Sequence, residues 1–162
     1  MRKTGSTPRA KIAHPALPIA SAREIRLKVN VCIEGIPVTT TITICDTCKR
    51  DDWAARETTE TDGAALASRI EAAAQKVSGV RTRRHACLMG CGKGCNLAIQ
   101  AQGKLTYVMG GFDPASDSAE DIVEYARLHS ESATGQVPFR AWPQGVKGHF
   151  VSRLPVLDEA DR

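Results

Sequence analysis

Between Glu24 and Ile33 apolar residues fall at every second position: Ile25, Leu27, Val29, Val31 and Ile33. A period of two puts them on one face of a strand. Glu34-Gly35-Ile36-Pro37 reads as a turn. Val38 to Ile44 is rich in Val, Thr and Ile, which suit a pleated, half-buried surface. The pattern therefore predicts a hairpin whose second strand runs directly into Cys45. Residues 49–61 are charged and polar around Trp53 and predict a loop.

The period then changes. Leu66, Ile70, Ala73 or Ala74, and Val77 recur at helical spacing, with Thr61 or Asp62 as N-cap and Gly79 as the stop. Val80 to Ala86 predicts a short arginine-rich strand that runs into Cys87. Leu97 to Ala101 and Leu105 to Met109 predict a second hairpin around Gln102-Gly103, ended by Gly110-Gly111. Ser118-Ala119-Glu120-Asp121 has the form of a capping box and predicts a second helix through about His129. Strands interleaved with helices and closed by an antiparallel hairpin predict one mixed sheet with helices packed on it, an α/β fold. Flanking it, residues 1–22 carry Pro8, Pro15 and Pro18 with little periodicity and read as a flexible arm. Residues 136–162 hold Pro138, Trp142, Pro143 and Pro155 and read as an irregular tail, which leaves 23–135 as the domain.

Composition narrows the function. The chain has 162 residues, a net charge of +4 and low aromatic content, so its core rests on Ile, Val, Leu and Ala. The charge is mild and no nucleic-acid-reading motif accompanies it. No apolar run is long enough to span a bilayer. The basic residues Arg2, Lys3, Arg9 and Lys11 have no apolar stretch behind them, so no secretory signal is expected. Six cysteines are many for such a chain, and five of them form two tight groups. Disulfide scaffolds spread their cysteines through short secreted chains; grouped cysteines without an export signal point to a reducing, cytoplasmic setting and to ligands.

The groups are Cys45-Asp46-Thr47-Cys48 and Cys87-Leu88-Met89-Gly90-Cys91-Gly92-Lys93-Gly94-Cys95, each following a predicted strand. If those strands are parallel neighbours, the loops meet at one end of the sheet. Thiolates repel each other, so they cluster where a cation or cluster neutralises them. Gly90, Gly92 and Gly94 let backbone N–H groups approach sulfur. Lys49, Arg50, Arg81, Arg83, Arg84 and Lys93 lie near the cysteines and favour thiolate. A solvated basic face is the plainer reading, because Arg81, Arg83 and Arg84 cannot all point one way on a strand.

The run Cys87-Leu-Met-Gly-Cys91-Gly-Lys-Gly-Cys95-Asn-Leu-Ala resembles the second cysteine loop of thioredoxin-like [2Fe–2S] ferredoxins. The stretch from Cys45 to Pro143 is similar to a family of small predicted metal-binding proteins of unknown function (DUF1636-like). Its marks are a Cys-x-x-Cys, a later Cys-Leu-x-x-Cys-x-x-x-Cys, and two segments that read here Tyr107-Val-Met-Gly-Gly-Phe-Asp113-Pro114 and Val137-Pro-Phe-Arg140-Ala-Trp-Pro143. The resemblance implies a thioredoxin-like, ferredoxin-type sheet with two helices and an extra N-terminal strand. It also implies a one-electron carrier with a [2Fe–2S] cluster, an association with cobalamin metabolism, and a homodimer as one form. The expected ligands are Cys45, Cys48, Cys87 and Cys91, with Cys95 as alternative ligand or spare thiol. The first pair is closer than in those ferredoxins, and Cys95 stands where proline is commoner. A basic rim would suit an acidic protein partner; no nucleic acid and no membrane are expected.

Two rivals use the same residues. Two cysteine groups can supply a four-cysteine zinc site, or hold cobalt, in a structural or metal-handling protein. Cys45-x-x-Cys48 after a strand also fits a thiol oxidoreductase, although there the pair opens a helix directly and here a charged loop intervenes. The remaining residues read more plainly. Cys32 is a buried thiol. His85 is a strand or surface histidine. His14, His129 and His149 lack ligand spacing, and Trp53, Trp142 and Phe150 are packing anchors. No catalytic arrangement is expected.

Overall fold

The computed structural model describes residues 38–116 and 118–157. The predicted arm, the predicted strand of 24–33, its turn and Cys32 lie outside the described residues.

Five strands form one sheet: β1 (Thr40–Cys45), β2 (Val80–His85), β3 (Leu97–Gln100), β4 (Thr106–Met109) and β5 (Phe150–Leu154), in the order β2-β1-β3-β4-β5. β1 and β2 are parallel; the other pairings are antiparallel. Two helices, α1 (Asp62–Ala74) and α2 (Ser118–Glu131), pack on the sheet and on each other. A β1-α1-β2 unit followed by a β3-β4 hairpin and α2 is a thioredoxin-like arrangement of a mixed α/β fold.

Register explains the core. Ile42 opposes Ile99 and Ile44 opposes Leu97, while Leu97 and Ile99 oppose Met109 and Tyr107. These residues share one face and are buried against Leu66, Ile70, Ile122, Val123 and Ala126 of the helices. Fully burying each of the larger aliphatic side chains stabilises the fold by about 1.5–3 kcal/mol. The other face carries Thr41, Thr43 and Gln100. There Arg81 donates to the Thr41 hydroxyl and Arg83 to the Thr43 hydroxyl, at 2.8 and 3.0 Å. Arg84 points the opposite way and pairs with Glu71 of α1 at 2.7 Å. The arginine run thus splits between the two faces, as strand alternation demands.

Helix α1 starts where the sequence places it, with the Thr61 hydroxyl accepting from Ala64 N at 3.1 Å, a cap that contributes about 1 kcal/mol. In α2, Ser118 is already helical instead of capping the helix. The loop 49–61 contains a 3-10 turn at Trp53–Ala55. The tail needs the largest correction. It is not irregular: two 3-10 turns lead to β5, which pairs with β4. Among the described residues the strand added to the thioredoxin-like core is therefore C-terminal. The signal is weak because only Phe150 turns inward, stacking on Trp142 with ring centroids 4.1 Å apart, while the other four residues are exposed. No described helix is long and apolar enough to cross a membrane.

Candidate metal centre

The parallel pairing of β1 with β2 sets Cys45 beside His85, so both strands end together and both cysteine loops leave from the same end of the sheet. Three contacts tie the loops. Asp46 N donates to His85 O at 3.1 Å, the Thr47 hydroxyl donates to Ala86 O, and Leu88 N–H donates to the Cys45 sulfur.

The first loop is built on the N-terminus of α1. Gly63 N donates to Cys48 O at 3.0 Å, and the Thr61 hydroxyl donates to Asp46 O. Gly63 has to be glycine, because a Cβ there would overlap the Cys45 carbonyl oxygen. Asp62 is buried beside the loop. Burial alone would push its carboxyl pKa up, but the Arg56 guanidinium at 2.6 Å and Arg50 N at 2.7 Å hold it below the usual range. Charged residues intervene in sequence before the helix, yet in space the loop rests directly on it.

Cys45 and Cys48 are buried and differ in acidity. Burial raises the Cys45 pKa, but donation from the Cys48 thiol, Leu88 N–H and Thr47 more than offsets this and lowers it overall. Cys48 is pushed up, first by burial and also by the neighbouring Cys45, against donation from the backbone and side chain of Asn96. Cys45 is thus the more acidic thiol of the pair, and its S–H donates to Ala86 O at 3.8 Å.

The second loop is more open. Cys87 and Cys91 are exposed. Lys93 N donates to Gly90 O and Gly94 N to Cys91 O, each at 3.1 Å, coiling the chain into tight turns. Gly94 and Cys95 then take φ values of 63° and 42° and turn the chain into β3. That turn carries Cys95 into the hydrophobic core, fully buried, where desolvation pushes its pKa up to about 12.

Cys45, Cys48, Cys87 and Cys91, with Thr47 and Lys49, line one cavity of about 250 Å³. Cys95 is absent from that lining. No imidazole or carboxylate lines it, and exposed His85 instead accepts from Cys87 N at 3.3 Å. Among the described residues no three His, Cys, Asp or Glu side chains close on a common ion. A second cleft adjoins, lined by Lys49, Arg50, Asp51, Asp52 and the Cys91–Gly94 turn. The basic neighbours are largely engaged: Arg50 pairs with Asp113 at 2.9 Å, and Lys49 sits 3.5 Å over the Trp53 ring.

Asn96 is the residue that sequence reasoning missed. It is 2% exposed, and its side-chain amide donates to Gly90 O and to Cys48 Sγ at 3.8 Å, joining the two loops. Gly90 and Gly110 clear the space it fills, since a Cβ on either would run into its side chain. The glycine of the Tyr-Val-Met-Gly segment thus serves the cysteine loops. The signal available was a polar side chain directly after Cys95 at the entry to a buried strand.

The chain belongs to the family described as a protein of unknown function (DUF1636), which matches residues 42–156. No curated protein and no solved structure matches it.

Proposed function

We propose that the chain holds a [2Fe–2S] cluster on Cys45, Cys48, Cys87 and Cys91 and carries single electrons to or from a protein partner. The observation behind this is that those four thiols, from two separate loops, line one cavity of about 250 Å³. The lining offers sulfur but neither imidazole nor carboxylate, a soft donor set. Such a cluster supplies a one-electron couple.

The protein's own part is to position and to tune. Leu88 N–H donates to Cys45, and Asn96 donates to Cys48 through backbone and side chain. Donation to these sulfurs favours the more negative, reduced state and raises the potential. The buried Cys45–Cys48 loop keeps water from one side, and the exposed Cys87–Cys91 loop offers the side that a partner reaches.

The test is a visible spectrum of anaerobically purified full-length protein, with analysis for iron, zinc, cobalt and acid-labile sulfide. Equal iron and sulfide, with absorption that bleaches on reduction, supports the proposal. A colourless protein with stoichiometric zinc replaces it with a four-cysteine zinc site. One observation favours a second reading, dithiol exchange: the Cys45–Cys48 pair, with Cys45 the more acidic thiol, rests on the α1 N-terminus. That reading requires the metal-free chain to reduce a small disulfide with loss on Cys45→Ser.

A further inference from the structure

The loop between Cys87 and Cys91 holds a third sulfur that the four-thiol centre leaves idle. Met89 Sδ lies 3.6 Å from Cys87 Sγ, and Met89 N–H donates to the same Cys87 sulfur at 3.4 Å. Met89 is 86% exposed, so hydrophobic burial does not hold it there. Its φ of 57° places a non-glycine residue in the left-handed region, which a long side chain rarely adopts. Two sulfurs bound about 2.3 Å from one ion at a tetrahedral angle lie roughly 3.8 Å apart. The Cys87–Met89 separation already matches that span. Cys91, at the far end of the same loop, is exposed and lines the cavity with Cys87.

We infer that Cys87, Met89 and Cys91 form an exchangeable site for a soft monovalent ion of the cuprous class on the exposed second cysteine loop. The thioether selects the ion. It is neutral and polarisable, a good partner for a soft d10 cation and a poor one for calcium, magnesium or manganese, which take oxygen ligands. Zinc draws its ligands from thiolate, imidazole and carboxylate and not from thioether, so a zinc ion here would leave Met89 unused. Each cysteine that binds releases its proton to solvent, and the ion keeps its oxidation state. Two thiolates and one monovalent cation leave one net negative charge, which faces solvent on this exposed loop. Exposure of all three donors lets an incoming thiol displace them one at a time, the geometry of hand-over and not of storage. The site shares Cys87 and Cys91 with the proposed cluster, so the two occupancies exclude each other. The inference rests on the loop's own geometry and does not depend on the cluster.

The test titrates reduced, metal-free full-length chain anaerobically with cuprous ion against bathocuproine disulfonate. The proteins are wild type, Met89→Leu and Cys48→Ser. One ion per chain is expected, with Met89→Leu weakening binding about tenfold or more and Cys48→Ser leaving it within a few-fold. Identical titrations of wild type and Met89→Leu would overturn the inference. So would loss of binding in Cys48→Ser, because copper would then sit at the inner pair. Met89→Leu replaces an exposed side chain with one of similar size, and its circular dichroism checks that the fold is kept. Iron uptake reads the cluster separately: a chain that takes up no iron yet binds copper through Met89 refutes the cluster and leaves this site standing.

Discussion

Asn96 and Gly90 should show a large, measurable coupling. The Asn96 amide donates to Gly90 O and to Cys48 Sγ, and the residue is 2% exposed. Asn96→Ala removes both donations, worth about 1 kcal/mol each, and leaves a carbonyl unpaired at about 1–3 kcal/mol, so a loss of about 3–5 kcal/mol is expected. Gly90→Ala acts on the same space from the other side. Gly90 is not among the glycines with positive φ. In an open loop the substitution would therefore stabilise by about 0.4–1 kcal/mol by restricting the unfolded chain. Here the new Cβ meets the Asn96 side chain, and forcing that overlap costs about 1–3 kcal/mol. With Asn96 already alanine the obstacle is gone and the cost of Gly90→Ala should vanish. The cycle should thus show a coupling of about 1–3 kcal/mol. Urea unfolding of the reduced, metal-free chain at pH 7, with a common m-value for all four proteins, measures it. Additive losses would refute the wedge. In the iron-loaded protein, Asn96→Ala should move the midpoint potential to more negative values; an unchanged potential would show that the amide does not act on the Cys48 sulfur.

Three further substitutions read the core and other parts of the site. His129 is buried, with Nδ1 2.9 Å from the Thr40 hydroxyl and Nε2 2.8 Å from Leu105 O. Burial, joined by the Lys104 charge, pushes its pKa down against the Leu105 hydrogen bond. A depressed histidine keeps its full contribution to stability above the unfolded pKa of about 6.5 and loses it as pH falls below that. Urea midpoints should therefore drop from pH 7.5 to 5.5 in wild type and drop less in His129→Gln; parallel curves would refute this. Gly63→Ala would gain about 1 kcal/mol in an ordinary helix. Its Cβ would overlap the Cys45 carbonyl, so the melting temperature should fall, by about 1–3 kcal/mol of stability, and a rise would contradict the contact. Cys95→Ser buries a hydroxyl in the core at a cost of about 1–3 kcal/mol but should keep iron and sulfide content. Loss of both would return Cys95 to the ligand set. In the metal-free chain, timed alkylation with mass spectrometry should modify Cys87 and Cys91 first and Cys95 only on unfolding.

Much of this was legible in the sequence because periodicity reports on burial. The helical spacing of Leu66 and Ile70, the Thr61 cap and the hairpin around Gln102-Gly103 each rest on a few neighbouring residues, and each stands where the pattern put it. So does the parallel neighbourhood of β1 and β2 that brings the cysteine loops together. What stayed hidden depends on partners distant in sequence. β5 is held by pairing to β4 and by Phe150 on Trp142, and neither shows in its own five residues. The different surroundings of Cys91 and Cys95 turn on φ values of 63° and 42° at Gly94 and Cys95, a change of direction that residue spacing does not encode.

The same turn accounts for why one cysteine group yields thiols in opposite environments. A loop that leaves β2 at a sheet end and must enter β3 as a central strand crosses from solvent to core within a few residues. Cys87 and Cys91 fall before the turn and Cys95 after it. Gly111 N donates to Gly94 O at 2.8 Å, which locks the turn from the β4 side, so the crossing point cannot drift along the loop. The first group has no such crossing, since Cys45 ends β1 and Cys48 lies against the α1 N-terminus, and both thiols stay inside. A buried pair therefore faces an exposed pair across one cavity. The inner thiols are enclosed and the outer ones open to solvent, so substitutions at Asn96 should act on stability and on the potential of the proposed cluster, and those at Met89 on exchange at the proposed outer site.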